Sequence, residues 1–557
     1  MVADSEARTA PEGPSAEGPA LDAKGRRTEP DHNETGWPKG VPYIIGNEGC
    51  ERFSYYGMRA ILTVYMAFLF KETGMAEGEA GGAATAVYHY FVAAAYFFPV
   101  LGAIMADRLF GKYNTILWLS IIYTIGHGVL SIGEGSLPIT YAGLILIAIG
   151  TGGIKPCVSA NVGDQFGRGN RHLLGKMYQA FYFIINFGSL FSQILIPWLK
   201  NEFGWSVAFG VPGILMAIAT VFFWMGRNKF VHVPATPGGK LGALDMAIGT
   251  CLFVALGGPL FVNTIGLQVT LASCIVALAI LPFVYRARQR IQQDDGFFAV
   301  LFTTLNGVLT GKNDEAKQAG FGQKVPGFFA AAEQKLGFEA VEAHIALWRI
   351  MSIFIFVAMF WALFDQHGST WVLQAEQMDL VVGSLNLDAS QIQSLNPAMV
   401  MILIPVNLFL FWALEAKLGI KVTMLRRMTT GMLMTGFAFV AAATVQEMVD
   451  GAPAQSVSVL WQVPQYFIMT QAEVLVSITG LEFAYTQAPK RVKSTVMSLW
   501  LLTVTVGNVL VSLMASGGHG EAFELAPFFW FFAFAMLGFG ALFALRAWFY
   551  TEREYAA

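Results

Sequence analysis

The chain has 557 residues, of which 55% are hydrophobic and only 13% are charged, and its formal net charge is −3. The mean hydropathy of +0.53, together with a charged fraction well below the roughly one quarter of average soluble domains, excludes a soluble enzyme of this length. The small negative net charge gives no reason to expect a nucleic-acid partner.

The first 38 residues are rich in Pro, Gly, Ala and acidic side chains. They hold too little apolar surface to form a core, and they contain no apolar stretch like that of a signal peptide. We therefore predict a disordered cytoplasmic tail over residues 1–38.

Fourteen apolar segments follow, each long enough for a helix that crosses a bilayer. They are 42–70, 83–106, 113–133, 138–160, 175–199, 206–226, 242–263, 267–286, 345–373, 394–415, 423–443, 457–487, 494–516 and 527–549. The four cysteines fall in apolar runs without Cys-x-x-Cys spacing, so neither a disulfide framework nor a metal site is predicted. The sequence thus predicts an all-α polytopic membrane protein.

One further helix is predicted between the eighth and ninth spans. From Asp294 to Gly311, apolar residues recur at the spacing of a single helical face, and charged, glycine-rich sequence follows. This pattern is typical of a helix that lies on a membrane surface. We therefore interpret residues 291–344 as a cytoplasmic or interfacial linker.

The loop charges predict the orientation of the chain, because cytoplasmic loops accumulate Lys and Arg. Every second loop is basic, as after the second span (Arg108 and Lys112) and after the eighth (Arg286 and Arg288). The intervening loop 374–393 contains acidic residues and no Lys or Arg. Across fourteen spans this alternation places both termini in the cytoplasm.

The loop after the second span reads GAIMADRLFGKY, residues 102–113. It resembles the Gly-x-x-x-Asp-Arg-x-x-Gly-Lys loop of the major facilitator superfamily, which implies a gating role for Asp107 and Arg108. The resemblance also implies two six-helix bundles with a substrate cavity between them near the bilayer midplane. The N-terminal bundle, two additional transmembrane helices and the C-terminal bundle are then assigned to residues 39–230, 240–290 and 345–550.

The first span carries ionisable residues at membrane depth, within EGCERFSYYG. Positions three, four, seven, eight and eleven residues apart share one face of a helix, and a polar stripe about 16 Å long results. The residues on this stripe are Glu48, Glu51, Arg52, Tyr55, Tyr56 and Arg59. A charge at the bilayer centre costs roughly 3 kcal/mol or much more, so we expect the stripe to line a wet cavity or to pair internally.

Other spans add ionisable and amide side chains. In chain order these are His89, Lys155, Asn186, Asp365, His367, Asn396, Glu473 and Glu482. The resulting cavity has mixed charge, which suits a zwitterion, and carboxylates beside cations can exchange a proton as their partners move. The sequence therefore predicts a proton-coupled carrier of a small, doubly charged solute. His127 has no charged sequence neighbour, and we interpret it as structural.

Several motifs resemble those of the proton-coupled oligopeptide transporters. EGCERFSYYG matches the Glu-x-x-Glu-Arg-Phe-x-Tyr-Tyr-Gly motif of that family, and FYFIINFGSL and GLEFAYTQAP match two further signatures. FWALFDQHGSTWVLQA in the seventh span and GTGGIKP in the fourth span agree as well. The resemblance covers roughly residues 38–550. It implies a symporter that imports di- and tripeptides with protons as the coupling ion and no other cofactor.

The resemblance also implies roles for single residues. The proton-coupling residues would be Glu48, Glu51, Arg52, His89, Asp365 and Glu473. The substrate-binding residues would be Arg59 and Lys155 for the peptide carboxylate, Glu473, Asn186 and Asn396 for the amino end, and Tyr55, Tyr56, Tyr96, Trp361 and Trp500 for the side-chain pockets.

Two ion pairs are expected to close the cavity in turn. Arg59 and Asp365 reach similar depth in outward-running helices, so their pair would close the outer end, and protonated His89 would compete with Arg59 for Asp365. The resemblance implies that Lys155 pairs with Glu473 across the two bundles and releases it when peptide binds.

The short loop 444–456 departs from animal members of the family, which have a large extracellular domain there, and the two extra spans resemble bacterial members. We therefore expect a monomer in a bacterial inner membrane, in contact with lipid, peptides and protons. A proton-coupled carrier of another small solute, such as an amino acid, nitrate or a peptide-like drug, remains open, as does a non-transporting receptor. An intramembrane enzyme would need a motif such as His-Glu-x-x-His or Gly-x-Ser-x-Gly, and the sequence contains neither.

Overall fold

The computed structural model describes residues 20–292, 296–516, 523–553 and 555. Within these ranges fourteen helical segments are long and apolar enough to cross a membrane. Each overlaps one of the fourteen predicted spans, so the predicted all-α polytopic fold is confirmed. Hydropathy finds the spans because a helix satisfies its own backbone hydrogen bonds in lipid.

The N-terminal bundle contains six helices. They are α1 (Val41–Glu72), α2 (Glu77–Met105), α3 (Lys112–Ile132), α4 (Leu137–Gly163), α5 (Leu174–Phe203) and α6 (Trp205–Met225). The close approach of α2 to α4 depends on glycine, because a Cβ atom at Gly102 would lie 2.1 Å from the carbonyl oxygen of Gly152. Small residues of this kind allow membrane helices to pack backbone against backbone.

Two additional membrane helices follow, of which the first lies beside α2 and the second packs on the first. They are α7 (Gly239–Gly257), continued by the short α8 (Val262–Ile265), and α9 (Leu267–Gln289). The ring of Phe97 on α2 stacks on Phe253 of α7 with centroids 4.0 Å apart. Few side chains of the pair are buried in the protein, as expected for helices that face lipid on their remaining sides.

The helix predicted from Asp294 to Gly311 is present as α10 (Phe297–Leu309), although positions 294 and 295 lie outside the described residues, and its location at the membrane surface stays a prediction. It packs with α11 (Lys312–Gln318) and α12 (Ala330–Leu336). Val300 is buried in this small cluster, whereas Phe302, Leu305 and Leu309 are exposed along the opposite face.

The C-terminal bundle contains the remaining helices, several of which are interrupted. They are α13 (Phe338–Phe364), α14 (Thr370–Glu376), α15 (Leu395–Leu418), α16 (Met424–Asp450), α17 (Gln462–Glu473), α18 (Thr479–Thr486), α19 (Lys493–Ser516) and α20 (Leu525–Trp548). A 3₁₀ turn, Asp365–Gly368, joins α13 to α14, and a π-helical turn, Val474–Ile478, joins α17 to α18. Strands β1 (Val381–Val382) and β2 (Leu385–Asn386) form a small antiparallel hairpin before α15.

The N-terminal segment differs from the predicted disordered tail over residues 20–38. The backbone N–H of His232 donates to the carbonyl of Arg27 (2.7 Å), and the N–H of Gly169 donates to the carbonyl of His32 (3.0 Å). These bonds hold the segment against the loops that follow α4 and α6. Composition does not reveal such order, because it comes from backbone bonds to distant loops and not from a core of its own. The first 19 residues lie outside the described part of the chain.

The two bundles are hydrogen-bonded to each other toward one end. These bonds lie in the half that contains the C-terminal part of α1 and the N-terminal part of α2. Examples are Thr63 to the carbonyl of Gly368 (2.9 Å) and Lys200 to Asp388 (2.6 Å). At the opposite end, where α1 begins and α20 ends, Tyr178 and Tyr485 are exposed. The hydrogen bonds thus hold the two bundles together toward the first of these ends.

Candidate functional site

The N-terminal half of α1 holds a compact ionic cluster. The guanidinium of Arg52 lies 2.6 Å from Glu48 and 3.1 Å from Glu51, and all three side chains are buried. The helical spacing seen in the sequence brings them together because Glu48 and Arg52 are one turn apart. Both carboxylate oxygens of Glu51 lack a hydrogen-bond donor among the described residues. Breaking a buried ion pair by removing one partner is costly, so a change in the charge of either glutamate would disturb the whole cluster.

Arg59 forms the ion pair that was expected at the closed end of the cavity. Its Nη2 atom lies 2.6 Å from Oδ1 of Asp365, in the 3₁₀ turn after α13, and its Nε donates to the hydroxyl of Tyr88. The second carboxylate oxygen of Asp365 accepts a hydrogen bond from Nδ2 of Asn508 (2.7 Å). These contacts join α1 and α2 of one bundle to α13 and α19 of the other.

His89 does not bond to Asp365 directly, contrary to the sequence-based expectation. Its Nδ1 lies 2.6 Å from Oδ1 of Asn508, and its Nε2 lies 2.8 Å from the hydroxyl of Ser369. Because Nδ2 of Asn508 donates to Asp365, its oxygen is the acceptor and Nδ1 of His89 is the donor. Asn508 therefore stands between the histidine and the carboxylate. The sequence analysis missed Asn508, although an amide in an apolar span was the same signal that identified Asn186 and Asn396.

Lys155 is not paired with Glu473 in this structure, so the expected inner ion pair is not formed in this state. Its ammonium lies 3.8 Å from the ring centroids of both Tyr55 and Tyr96. It has no hydrogen-bond partner among the described residues. Two aromatic faces stabilise a desolvated cation by about 0.5 to 2 kcal/mol each, which holds the lysine in place without neutralising its charge.

Glu473 lies in the opposite bundle, at the end of α17. One of its oxygens accepts a hydrogen bond from the amide of Asn396 (2.7 Å), which also donates to the hydroxyl of Thr470 (3.2 Å). Asn186 is not part of this group, because its amide donates to the carbonyl of Tyr182 within α5 (3.0 Å). The π-helical turn that begins at the next residue interrupts the regular helix directly beside the carboxylate, and such turns often occur at functional sites.

The predicted aromatic residues divide into two groups. Tyr56, Tyr96 and Trp361 are partly exposed, whereas Tyr55 and Trp500 are buried. Trp361 packs against the cores of both bundles and meets Trp500 edge to face at 6.2 Å. The partly exposed side chains can contact a solute between the bundles, and the buried ones pack against them.

The model of the POT family matches residues 113–519 of the chain. The chain belongs to the POT family. It is 26% identical to rabbit solute carrier family 15 member 1 over 93% of both chains, and 34% identical to human solute carrier family 15 member 2 over 75% of this chain. The latter match spans about half of the human protein, 50% of its length.

Solved structures agree with this assignment. The crystal structure of the POT family transporter PepTSo is 38% identical, has a TM-score of 0.74, and covers 92% of this chain and 99% of its own. An auto-inhibited POT family peptide transporter is 36% identical, also with a TM-score of 0.74. A further structure names the family as proton dependent oligopeptide transporters. The predicted fold, two six-helix bundles of the major facilitator type with two helices between them, is thus confirmed for this POT family member.

The loop that contains Asp107 and Arg108 in this POT family protein forms its ion pairs with the N-terminal half of the chain. Arg108 lies 3.7 Å from Asp245 of α7, which also pairs with Arg288 of α9 at 3.1 Å, and Lys112 pairs with Asp164 at 2.6 Å. The loop therefore joins the two additional helices to the N-terminal bundle. The gating role predicted for Asp107 and Arg108 stays a prediction, since no contact of theirs among the described residues crosses to the C-terminal bundle.

Proposed function

We propose that this protein is a symporter that imports di- and tripeptides by alternating access and uses the proton gradient as its driving force. One observation carries the proposal. An ammonium that forms no ion pair, on Lys155, and a carboxylate that is bonded by a neutral amide, on Glu473, belong to opposite bundles that face one cavity. A solute with one charge of each sign at its two ends complements both.

The ends of a peptide would be recognised by charge. Its carboxylate would bind Lys155, with Arg59 close by, and its ammonium would bind Glu473 and Asn396. A charge-assisted hydrogen bond contributes about 1.5 to 3 kcal/mol, enough to require both free ends. Aromatic side chains such as Tyr56 and Trp361 offer contact area without a fixed hydrogen-bond pattern, so the peptide side chains would be read loosely.

The loop charges set the orientation, with both termini in the cytoplasm. The membrane is the plasma membrane of a bacterium, that is, its inner membrane. The end where α1 begins then faces the cytoplasm, and the ion pair of Arg59 with Asp365 closes the outer end. The two bundles would rock about this site as rigid bodies. We further propose that the protein acts as a monomer, because one chain contains both bundles and the whole site.

Protons would act at both ends of the cavity. At the outer end, a proton added to His89 at Nε2 reverses its bond with Ser369, because that nitrogen then donates. The change reaches Asp365 through Asn508 and weakens its hold on Arg59. At the inner end, protonation of Glu51 removes one charge from the cluster around Arg52. Each protonation favours a different arrangement of the bundles, which couples the gradient to transport.

The experiment is uptake of labelled dialanine by proteoliposomes under an inward proton gradient. We expect accumulation above the external concentration, and none when the gradient is dissipated. Nitrate, free alanine and a phosphonopeptide added in excess distinguish the alternative solutes. Equal uptake with and without the gradient would contradict the proton-coupled function, and competition by nitrate alone would favour a different carrier on the same fold.

A further inference from the structure

The segment that follows α20 folds back onto the C-terminal bundle. It comprises residues 549–553 and 555 of the part of the chain that the structure describes. Its Tyr550 is buried and belongs to the hydrophobic core of that bundle. The function proposed above makes no use of this segment, which we call the tail clamp.

The tail clamp is bound to α13 through an arginine. The guanidinium of Arg349, on α13, donates a hydrogen bond from Nη2 to the carbonyl of Thr551. The same guanidinium lies 5.2 Å from the centroid of the Tyr550 ring, and that of Arg546, in the last turn of α20, lies 5.1 Å from it. A guanidinium near an aromatic face is a favourable contact. The ring therefore ties the ends of α13 and α20 together.

The tail clamp is also bound to the end of α18. The buried side chain of Gln487, directly after this helix, accepts hydrogen bonds at Oε1 from the backbone N–H of Arg553 (2.9 Å) and from the hydroxyl of Tyr550 (3.4 Å). The backbone N–H of Tyr555 donates to the carbonyl of Thr486, the last residue of α18 (3.3 Å). The end of α18 is therefore joined to α13 and α20 through the tail clamp.

The other end of α18 is an irregular point in the chain. The π-helical turn Val474–Ile478 separates it from α17, and this turn begins directly after Glu473. A π-helical turn interrupts the regular hydrogen-bond pattern, and helices bend sharply at such turns. With only eight residues, α18 is thus a short segment that has a bending point beside Glu473 and the tail clamp at its far end.

One face of this segment is apolar and exposed. Ile478, Leu481 and Tyr485 are exposed, and their spacing of three and four residues places them on one helical face. Because a π-helical turn spans about five residues, this face continues that of Glu473, which lies on the cavity. It is therefore directed toward the end of the cavity where α1 begins, and Tyr178 of α5 is exposed there as well. Movement of α18 toward α5 would remove apolar surface from water, which is favourable.

We propose that the tail clamp holds α18 back and so keeps this end of the cavity from narrowing. When the contacts of the tail clamp are released, α18 turns about the π-helical turn toward α5 and its exposed face packs against that helix. The bending point lies beside Glu473, so the same movement displaces the carboxylate assigned to the amino end of the peptide. That consequence for the substrate rests on the proposed function, whereas the restraint on α18 does not.

The test measures two distances in proteoliposomes without peptide, by pulsed electron paramagnetic resonance between spin labels on introduced cysteines. The four native cysteines are replaced by alanine. One label pair, Tyr178→Cys with Tyr485→Cys, joins α5 to α18. The other pair, Tyr178→Cys with Leu418→Cys, joins α5 to the exposed end of α15 in the same bundle as α18. Movement of α18 alone changes the first distance, whereas movement of the whole bundle changes both.

Two variants release the tail clamp independently. Arg349→Gln removes the contacts with Tyr550 and Thr551, and Gln487→Met removes the acceptor of both side-chain bonds. Each should raise the ratio of short to long distances in the α5–α18 pair by roughly fivefold, the value of one cation–π contact, and leave the α5–α15 pair unchanged. The methionine variant decides the matter even if the arginine variant does not fold.

Arg227→Gln is the matched control for the arginine variant. Like Arg349, Arg227 is half-buried, lies near an aromatic ring (Trp224, 3.7 Å) and donates to a backbone carbonyl (3.1 Å), but it follows α6 in the N-terminal bundle. It should leave both distances unchanged. Unchanged α5–α18 distances in the two variants, equal changes in both label pairs, or the same change in Arg227→Gln would overturn the proposed restraint. Failure of the wild-type protein to accumulate dialanine would refute the peptide function instead, since the distances are measured without substrate.

Discussion

The two bundles of this POT family protein treat their buried polar groups differently. In the C-terminal bundle the carboxylates are bonded by neutral amides, as Asp365 is by Asn508 and Glu473 is by Asn396. In the N-terminal bundle both oxygens of Glu51 and the ammonium of Lys155 lack hydrogen-bond partners among the described residues. Glu51 instead meets the guanidinium of Arg52 at 3.1 Å, and the ammonium of Lys155 lies over the rings of Tyr55 and Tyr96, so these charges are held by another charge and by aromatic faces instead of by amides.

The same contrast extends to the helix contacts of the C-terminal bundle. The side-chain oxygen of Gln374 accepts hydrogen bonds from Gln462 (2.9 Å) and Gln465 (3.0 Å), while its nitrogen donates to the carbonyl of Ala442 (3.0 Å). These fully buried amides connect α14, α16 and α17. Hydrogen bonds of this kind fix membrane helices relative to one another, and they carry no charge that responds to pH. The difference between the bundles teaches that neutral amides hold the carboxylates and helices of one, whereas an ion cluster and aromatic faces hold the buried charges of the other.

The largest effect is expected from Glu51→Gln, which keeps the size of the side chain and removes its titration. Gradient-driven accumulation of dialanine should fall to the equilibrium level. Counterflow, in which labelled and unlabelled peptide exchange without net proton movement, should continue. Both are measured in the same proteoliposomes, with Glu202→Gln on an exposed position as the control. Normal accumulation in Glu51→Gln would show that Glu51 is not needed for proton coupling, and the difference between the bundles would then have no role in transport.

A smaller effect is expected when one end of the substrate is blocked. Amidation of the C-terminus or acetylation of the N-terminus should weaken competition against labelled dialanine by roughly ten- to a hundredfold, the value of one charge-assisted bond. In Lys155→Gln the penalty for amidation should vanish while that for acetylation stays, and exposed Lys176→Gln should retain both. Equal competition by blocked and free peptides would refute the assignment of Lys155 and Glu473 to the two ends.

The ion pair between the bundles is tested by a double-mutant cycle over Arg59 and Asp365. Cysteine accessibility at the outer end of the cavity reports the outward-facing population in Arg59→Gln, Asp365→Asn and the double variant. Contacting groups of one ion pair couple by about 0.5 to 3 kcal/mol, and we expect a value in the upper half of this range. Additive effects of the two changes would mean that the pair does not act as a gate.

The smallest effect is expected for Gln374→Leu, which removes the centre of the amide network. Its loss should lower the free energy of unfolding by about 1 kcal/mol, as for other interhelical hydrogen bonds in membranes. The pH profile of uptake should not move, because no titrating group is changed. Thermal unfolding and uptake are measured on the same preparation. A shifted pH profile would show that the C-terminal amides also take part in proton handling.

Much of this architecture could be predicted from the sequence, because its signals are local. Apolar length identifies the spans, and helical spacing places Glu48, Glu51 and Arg52 together. The position of Lys155 over Tyr55 and Tyr96 could not be predicted, since it depends on how three helices pack and on the state of the cavity. The bond of Arg59 to Tyr88 was missed for the same reason.

The buried histidine His127 is a further feature that local sequence patterns do not explain. His127 was interpreted as structural because no charge lies near it in the sequence, and the sequence does not reveal that its buried ring lies beside that of Tyr123, with neither ring nitrogen hydrogen-bonded among the described residues. The order of residues 20–38 was likewise hidden, because their partners lie more than a hundred positions away. Local sequence patterns therefore identify candidate functional residues, whereas the packing of the helices determines which of them are in contact.

Proton movement driven by peptide tests the central claim most directly. Proteoliposomes that contain a pH-sensitive dye are prepared at equal internal and external pH, and dialanine is added outside with the membrane voltage held at zero. The account predicts that the interior acidifies as peptide enters, and that dialanine blocked at both ends produces no acidification. Entry of labelled dialanine without any change in internal pH would contradict proton coupling and with it the roles assigned to the charges of the N-terminal bundle.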